Sequence, residues 1–379
     1  PAGIYYTLLL DKMQSAGTTR RKGTLNVRKM KRVFCLLAAL LLVLALPAGA
    51  VSSAGLTITP ETTMEQLRSD PDVAGSGIWT YQQAIADPST PAAGTTLGEY
   101  VGNMAQDCAA AMDYLTDCYR QGRQVTYKVY MAEEVAAEAN RNEVELYYFP
   151  SHTEKTKYVV VMSGNVLNKT SNLSEGYATA WQLHELGYTV FVLRYRVFQK
   201  ASNNAPLDDL GNAIRYITDH AAEFGVQTED YALLGYSSGG HLAGLFGSEE
   251  HGYRNYGVPK PGALLLGYPI NDFFEYKPIY HMMMDPWVLQ DRYYEWTISG
   301  AVTDDYPPVY HWYGMDDYVF PLLWYPAQRP ALTRTLKEHH IPYKEVIYRR
   351  ATHGVGTGIN TDADGWINNA VAFWEEQTA

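Results

Sequence analysis

Along the 379-residue chain, apolar and polar positions change rhythm several times. Polar and apolar residues alternate at 125–131 and 143–149, which predicts half-buried strands. Residues 157–162 hold an unbroken Val run, the pattern of a strand buried on both faces. From there strands and helices take turns. A helix at 174–186 stops at Gly187 and a strand follows at 188–195. A helix at 205–224 carries Leu207, Leu210, Ala213, Ile214 and Ile217 at helical spacing and stops at Gly225. Then come a strand at 231–235, a small-residue helix at 238–247 and a strand at 262–267. A strand at 308–313, a helix at 325–339, a strand at 342–348 and a helix at 364–376 complete the series. This alternation predicts an α/β fold, with a mostly parallel central sheet, helices on both faces, and the first two strands at one edge.

Outside that series the pattern weakens. Residues 97–123 read as helical, while 55–95, rich in Pro, Thr, Ser, Gly and Asp without sustained period, read as an irregular segment that wraps the domain or stays loose. Three regions are expected. Residues 1–50 form an upstream extension and leader, 51–124 a segment irregular then helical, and 125–379 the main α/β domain. Within it, 269–304 breaks the alternation and is rich in aromatics and Met. So long a connection predicts a pocket wall or lid, with Phe273, Phe274, Tyr276, Trp287, Tyr293, Tyr294 and Trp296 as its aromatic content; simple packing is the alternative.

The leader reads from Met30, the expected start, through Lys31, Arg32 and a 14-residue apolar run at 33–46 to Pro47 and Ala48-Gly49-Ala50. A basic start, a short apolar core and small residues make a secretory signal, cleaved after Ala50 or, second, after Ala54. The run is short of the roughly 20 residues a membrane span needs. The expected location is therefore extracytoplasmic, without a stable membrane anchor after cleavage.

Charge narrows the partners. The formal net charge is −11, and the first 50 residues hold eight Lys/Arg and one Asp, so the remainder carries −18. Such a surface repels phosphate backbones and anionic lipids, and no nucleic-acid partner is expected. The 31 tyrosines suit packing and half-wet pocket walls. Cys108 and Cys118 stand ten residues apart in a helical stretch, about 15 Å along a straight helix. A disulfide needs about 5.5 Å, so two free thiols are expected. Cys and His are not clustered at zinc-ligand spacing, and no metal or cofactor is expected.

The sharpest motif is Gly235-Tyr236-Ser237-Ser238-Gly239, between a predicted strand and a predicted helix. A serine at a tight G-x-S-x-G strand-to-helix turn is exposed as a nucleophile, beside a helix N-terminus that favours a developing oxyanion. A nucleophilic serine needs a base, and the base needs an orienting acid. Asp317 follows the strand at 308–313 and opens Asp317-Tyr318-Val319-Phe320-Pro321; Asp316 is the alternative acid. His353, in Ala351-Thr352-His353-Gly354, follows the last strand. Its rivals are His241, His251, His281, His311, His339 and His340, which read as packing, strand or helix-end histidines. Acids and bases just past strand C-termini share one rim of the sheet, so Ser237, Asp317 and His353 can converge there. Two backbone N–H groups should hold the oxyanion. One belongs to Ser238, and the other to Gly164 or Asn165 in the loop after 157–162.

On these residues the chain resembles the bacterial esterase/lipase group of α/β hydrolases, which includes acetyl-xylan-esterase-like and feruloyl-esterase-like enzymes. Members read G-[FY]-S-A-G-G-H-L-A at the nucleophile; residues 235–243 here read GYSSGGHLA. Leu193-Arg194-Tyr195-Arg196, Ala205-Pro206-Leu207 with Asp209, Tyr306-Pro307-Pro308-Val309 and the Asp317 loop also match. The likeness runs from about residue 157 to the end. It departs where members carry His-Gly-Gly-Gly or Pro-Gly-Gly-Gly, for this chain has Met162-Ser163-Gly164-Asn165. The resemblance implies the α/β-hydrolase fold and a serine carboxylic-ester hydrolase working through an acyl-enzyme. Its substrate would be a short acyl ester, small or carbohydrate-linked. Other readings on the same fold are a prolyl-oligopeptidase-type peptidase, an acyltransferase and a non-catalytic binding protein. The first of these usually carries a propeller, and the sequence has no propeller-length repeat region.

Overall fold

The computed structural model describes residues 55–79, 91–166, 169–197, 204–272, 297–317 and 325–379. The expected leader and the aromatic stretch from Phe273 to Trp296 lie outside the described residues.

The strands, in chain order, are β1 (Thr126–Lys128), β2 (Glu145–Phe149), β3 (Tyr158–Met162), β4 (Asn165–Val166), β5 (Lys169–Thr170), β6 (Thr189–Arg194), β7 (Ala232–Tyr236), β8 (Ala263–Gly267), β9 (Val309–Gly314) and β10 (Tyr343–Tyr348). Among the described residues, eight of them form one sheet in the order β1-β2-β6-β3-β7-β8-β9-β10, while β4 and β5 pair as a small hairpin. Strands β6, β3, β7, β8, β9 and β10 run parallel. β2 is antiparallel to β6 and β1 to β2, so both early strands sit at one edge, as their alternating pattern predicts. The α/β class read from the sequence is the fold observed.

Burial follows the sequence pattern. Every residue of β3, β7, β8 and β9 is buried, because helices cover both faces of these strands. Edge strand β10 is only partly covered. The helices Ala105–Arg120, Tyr177–Glu185 and Trp366–Gln377 pack as one group, while Ala205–Asp219, Ser237–Phe246, Ile298–Ala301 and Tyr325–Glu338 form a second.

Several expected elements are adjusted. The strand at 125–131 shortens to β1, because Glu134 caps the Met131 N–H at 2.8 Å and opens the helix Ala132–Ala137. The helix at 205–224 breaks at His220, whose Nδ1 lies 2.8 Å from the Tyr216 carbonyl, and resumes as Ala221–Phe224. The helix at 174–186 begins with a π-turn, Asn172–Gly176, before the regular helix Tyr177–Glu185.

The larger correction is N-terminal. The described part of 55–95 is ordered rather than irregular. Thr63 and Gln66 form a capping box that starts the helix Met64–Ser69, and Asp70 caps Pro71–Ser76. Leu67, Val73 and Ile78 are fully buried in the main core. The polar residues that suggested looseness are the caps themselves. Cys108 and Cys118 are free and buried.

Candidate active site

The chain leaves β3 for β6 on one side, then crosses to β7 on the other. That reversal opens a crevice at the C-terminal ends of β3 and β7, where ligands bind in doubly wound sheets. Both loops of interest leave from it: Ser163-Gly164-Asn165 from β3 and Ser237 from β7.

Ser237 has φ 50°, a left-handed conformation that a non-glycine residue adopts at a cost of about 1–3 kcal/mol. The turn around it requires glycine. A Cβ on Gly235 would lie 2.3 Å from the Gly239 carbonyl oxygen, and one on Gly239 would lie 2.2 Å from that of Met162.

His353 bridges the other two candidates. Its Nε2 lies 2.8 Å from Ser237 Oγ and its Nδ1 lies 2.8 Å from Asp317 Oδ2. A carboxylate only accepts, so Nδ1 carries the proton and Nε2 presents its lone pair to the Ser237 hydroxyl. The Asp317 side chain is 1% exposed and that of His353 12%, so the pair is shielded while the imidazole keeps a path to solvent. Asp316, the alternative acid, is exposed. Of the rival histidines, His241 is buried in the elbow helix with Nδ1 2.7 Å from the Ile270 carbonyl. His311 is buried in β9, and His339 sits 2.7 Å from Asp304. His281 lies outside the described residues.

In the oxyanion loop the two candidate amides have different partners. The Gly164 N–H donates to Glu175 Oε2 at 2.7 Å, so this amide is already held by a carboxylate. The Asn165 N–H donates to Ser238 Oγ at 3.1 Å, a neutral partner that an anion can displace. The Ser238 N–H lies in the first turn of the elbow helix, beyond the reach of intrahelical bonds. Ser238 and Asn165 thus remain the two amides suited to a developing anion.

Two residues emerge that sequence reasoning passed over. Glu175 is buried and accepts from Gly164 and from the Tyr268 hydroxyl at 2.6 Å. Burial pushes its carboxyl above the usual range, while those donors and His353 act the other way. Tyr268, just past β8, lies with its ring 4.7 Å from that of His353. A Glu in a helical stretch reads as solvent-facing, but the π-turn shifts the phase and turns it inward.

Beside Ser238 and Asn165 opens a cavity of about 30 Å³ walled by Val197, Leu207, Leu242 and Leu245. That is room for roughly two water molecules. Among the described residues, no group of His, Cys, Asp and Glu could hold a metal ion. Nor is any described helix long and apolar enough to cross a membrane.

The sheet order and its crossovers are those of the α/β-hydrolase fold. Residues 144–259 match the family described as BD-FAE. The chain is 22% identical over 215 residues to an endo-1,4-beta-xylanase B of Butyrivibrio fibrisolvens, covering 54% of this chain and 33% of the relative. It is 28% identical over 112 residues to an acetylxylan esterase of Xylanibacter ruminicola, covering 30% of this chain and 22% of the relative. The chain thus spans a third or less of the length of these curated relatives. Among solved structures, an acetyl ester-xyloside bifunctional hydrolase from Caldicellulosiruptor lactoaceticus matches with TM-score 0.56 and 22% identity, over 66% of this chain and 95% of that one. A carboxylesterase from Lactobacillus plantarum matches with TM-score 0.53 and 20% identity, over 62% and 92%. The chain thus shares its fold with esterases and is similar to them in sequence over part of its length.

Proposed function

We propose that the chain is a serine carboxylic-ester hydrolase acting on short acyl esters carried by carbohydrate. The observation that carries the reading is the continuous relay Asp317–His353–Ser237, with its serine strained outward at the switch point of the sheet. In this reading His353 Nε2 takes the Ser237 proton as Oγ attacks the ester carbonyl. Asp317 fixes the imidazole tautomer and stabilises the imidazolium. The tetrahedral oxyanion rests on the Ser238 and Asn165 amides, displacing the Ser238 hydroxyl from the latter. His353 returns the proton to the leaving alcohol, then activates water to release the acid from the acyl-enzyme. The small apolar cavity beside those amides supports a short acyl group, since its Val197, Leu207, Leu242 and Leu245 walls suit an acetyl methyl. Likeness to proteins named for xylan and acetyl esters supports a carbohydrate alcohol.

Hydrolysis of p-nitrophenyl esters from acetate to laurate, and of acetylated xylan, tests this. The expected outcome is highest kcat/KM on acetate, falling with chain length, and a loss of at least about a thousandfold in Ser237→Ala. A fluorophosphonate probe that fails to label Ser237 in the wild-type protein would sink the reading and favour a binding role.

A further inference from the structure

We propose that Glu175 is a positioning residue for the relay: its carboxylate ties the Gly164 loop to the His353 loop through the Tyr268 hydroxyl, and its charge stands behind the imidazole. The inference rests on the serine-hydrolase reading above.

Glu175 meets three loops at once. Its Oε2 accepts the Gly164 N–H at 2.7 Å, in the loop after β3. Its Oε1 accepts the Tyr268 hydroxyl at 2.6 Å, in the loop after β8. That hydroxyl in turn accepts the Gly356 N–H at 2.9 Å, three residues past His353 in the loop after β10. The contact is close, since a Cβ on Gly356 would lie 3.5 Å from Glu175 Cγ. One carboxyl therefore sets the separation between the oxyanion loop and the general base.

Tyr268 is held there against its own preference. Its φ of 37° is left-handed, and for an aromatic residue such strain persists only where the surroundings fix it. Its ring lies against His353, so the bridge also limits how the imidazole can tilt.

The charge has a second consequence. Glu175 is buried, and among the described residues no Lys or Arg pairs with it. A buried carboxylate without a cation is costly. Each of its oxygens accepts one donor, an arrangement that suits the ionised form. Among the described residues, the titratable groups facing Glu175 and His353 include Asp317, Tyr268, Tyr236 and Tyr195; burial pushes all three tyrosines up, so they stay neutral. Among the described residues, the cation that acts on Glu175 is thus the imidazolium, which exists when His353 holds the serine proton. An anion at this place favours the protonated base. Its removal takes away an anion that stabilises the imidazolium and moves the acid limb of the rate profile to lower pH.

The experiment compares wild type with Glu175→Gln by p-nitrophenyl acetate kinetics and by the rate of Ser237 phosphonylation by a fluorophosphonate, both across pH. The expected result is kcat down about ten- to a hundredfold, KM within about threefold, and an acid limb lower by about half a pH unit or more. Tyr268→Phe keeps the carboxyl and cuts only the bridge; kcat is expected to fall about three- to tenfold, which covers the case of a Gln variant that does not fold. A folded Glu175→Gln with wild-type rate overturns the proposal. So does a rate loss with an unmoved limb, which would leave Glu175 a packing role alone. In both cases normal labelling of wild-type Ser237 leaves the hydrolase reading standing. A wild type that is not labelled overturns both together.

Discussion

Ser238 is the residue at which this site departs most instructively from the group it resembles, where alanine stands. Its backbone amide is proposed to hold the oxyanion, yet its hydroxyl occupies the other proposed donor, the Asn165 N–H, at 3.1 Å. The two roles compete within one residue. A neutral hydrogen bond contributes about 1 kcal/mol net and one to an anion about 1.5–3 kcal/mol, so the oxyanion wins the amide but gains less than it would from a free one. Ser238→Ala removes the competitor and leaves the backbone donor in place. Steady-state kinetics on p-nitrophenyl acetate should show kcat/KM unchanged or raised by up to about threefold. A loss beyond about tenfold would mean that the hydroxyl holds the loop in shape rather than competing for it. The sequence made Ser237, Asp317 and His353 legible as a convergent set, because each stands just past a strand end. It left Gly164 and Asn165 equivalent, because only the position of Glu175 distinguishes their amides. Glu175 itself was invisible, since nothing in a linear helical pattern marks a π-turn.

At the scale of elements, the elbow helix Ser237–Phe246 joins chemistry to stability. All its residues from Gly239 onward are buried, and it passes beneath the crevice with His241 inside. Burial pushes His241 down to about 4, although its bond to the Ile270 carbonyl opposes that. The unfolded chain takes up a proton near the ordinary value of about 6.5, which the folded chain refuses. His241 therefore leaves stability intact above about pH 6.5 and removes up to about 3 kcal/mol as pH falls to about 4. Urea melts of wild type and His241→Asn at pH 7 and pH 4.5 should show a shallower loss in the variant. Parallel slopes would mean that the acid sensitivity arises elsewhere. The strands on either side of this helix were legible because helices on both faces leave no solvent-exposed position along β3, β7, β8 and β9. Element ends were less so. The break at His220 and the early end of β1 are set by side chains bonding to nearby backbone, an effect that apolar periodicity does not register.

Across the whole described molecule, the N-terminal helices behave as part of the core. Ile58, Met64, Leu67, Val73 and Ile78 are buried with the residues of the sheet and its helices. Polar ties run alongside them. The Ile58 N–H donates to Asp113 at 2.8 Å, Arg120 pairs with Asp72 at 2.6 Å, and the Tyr177 hydroxyl donates to the Ile78 carbonyl at 2.6 Å. Tyr177 begins the helix that follows Glu175, so the N-terminal segment also braces the element carrying the proposed positioning carboxyl. The sequence concealed this because short helices of about one and a half turns show too little periodicity to stand out from their capping residues. A segment merely lying on the surface would unfold locally, and a truncated side chain there would leave global melting untouched. A segment sharing the core transmits the loss. Leu67→Ala should therefore cost about 3 kcal/mol of global stability, a fall of several degrees in Tm. Its kcat on p-nitrophenyl acetate at 25 °C should stay near wild type, because Leu67 lies in a helix remote in sequence from every loop of the site. An unchanged Tm would show that 55–79 fold apart from the sheet. A lowered Tm with a matching loss of kcat would instead mean that the brace on Tyr177 reaches the oxyanion loop.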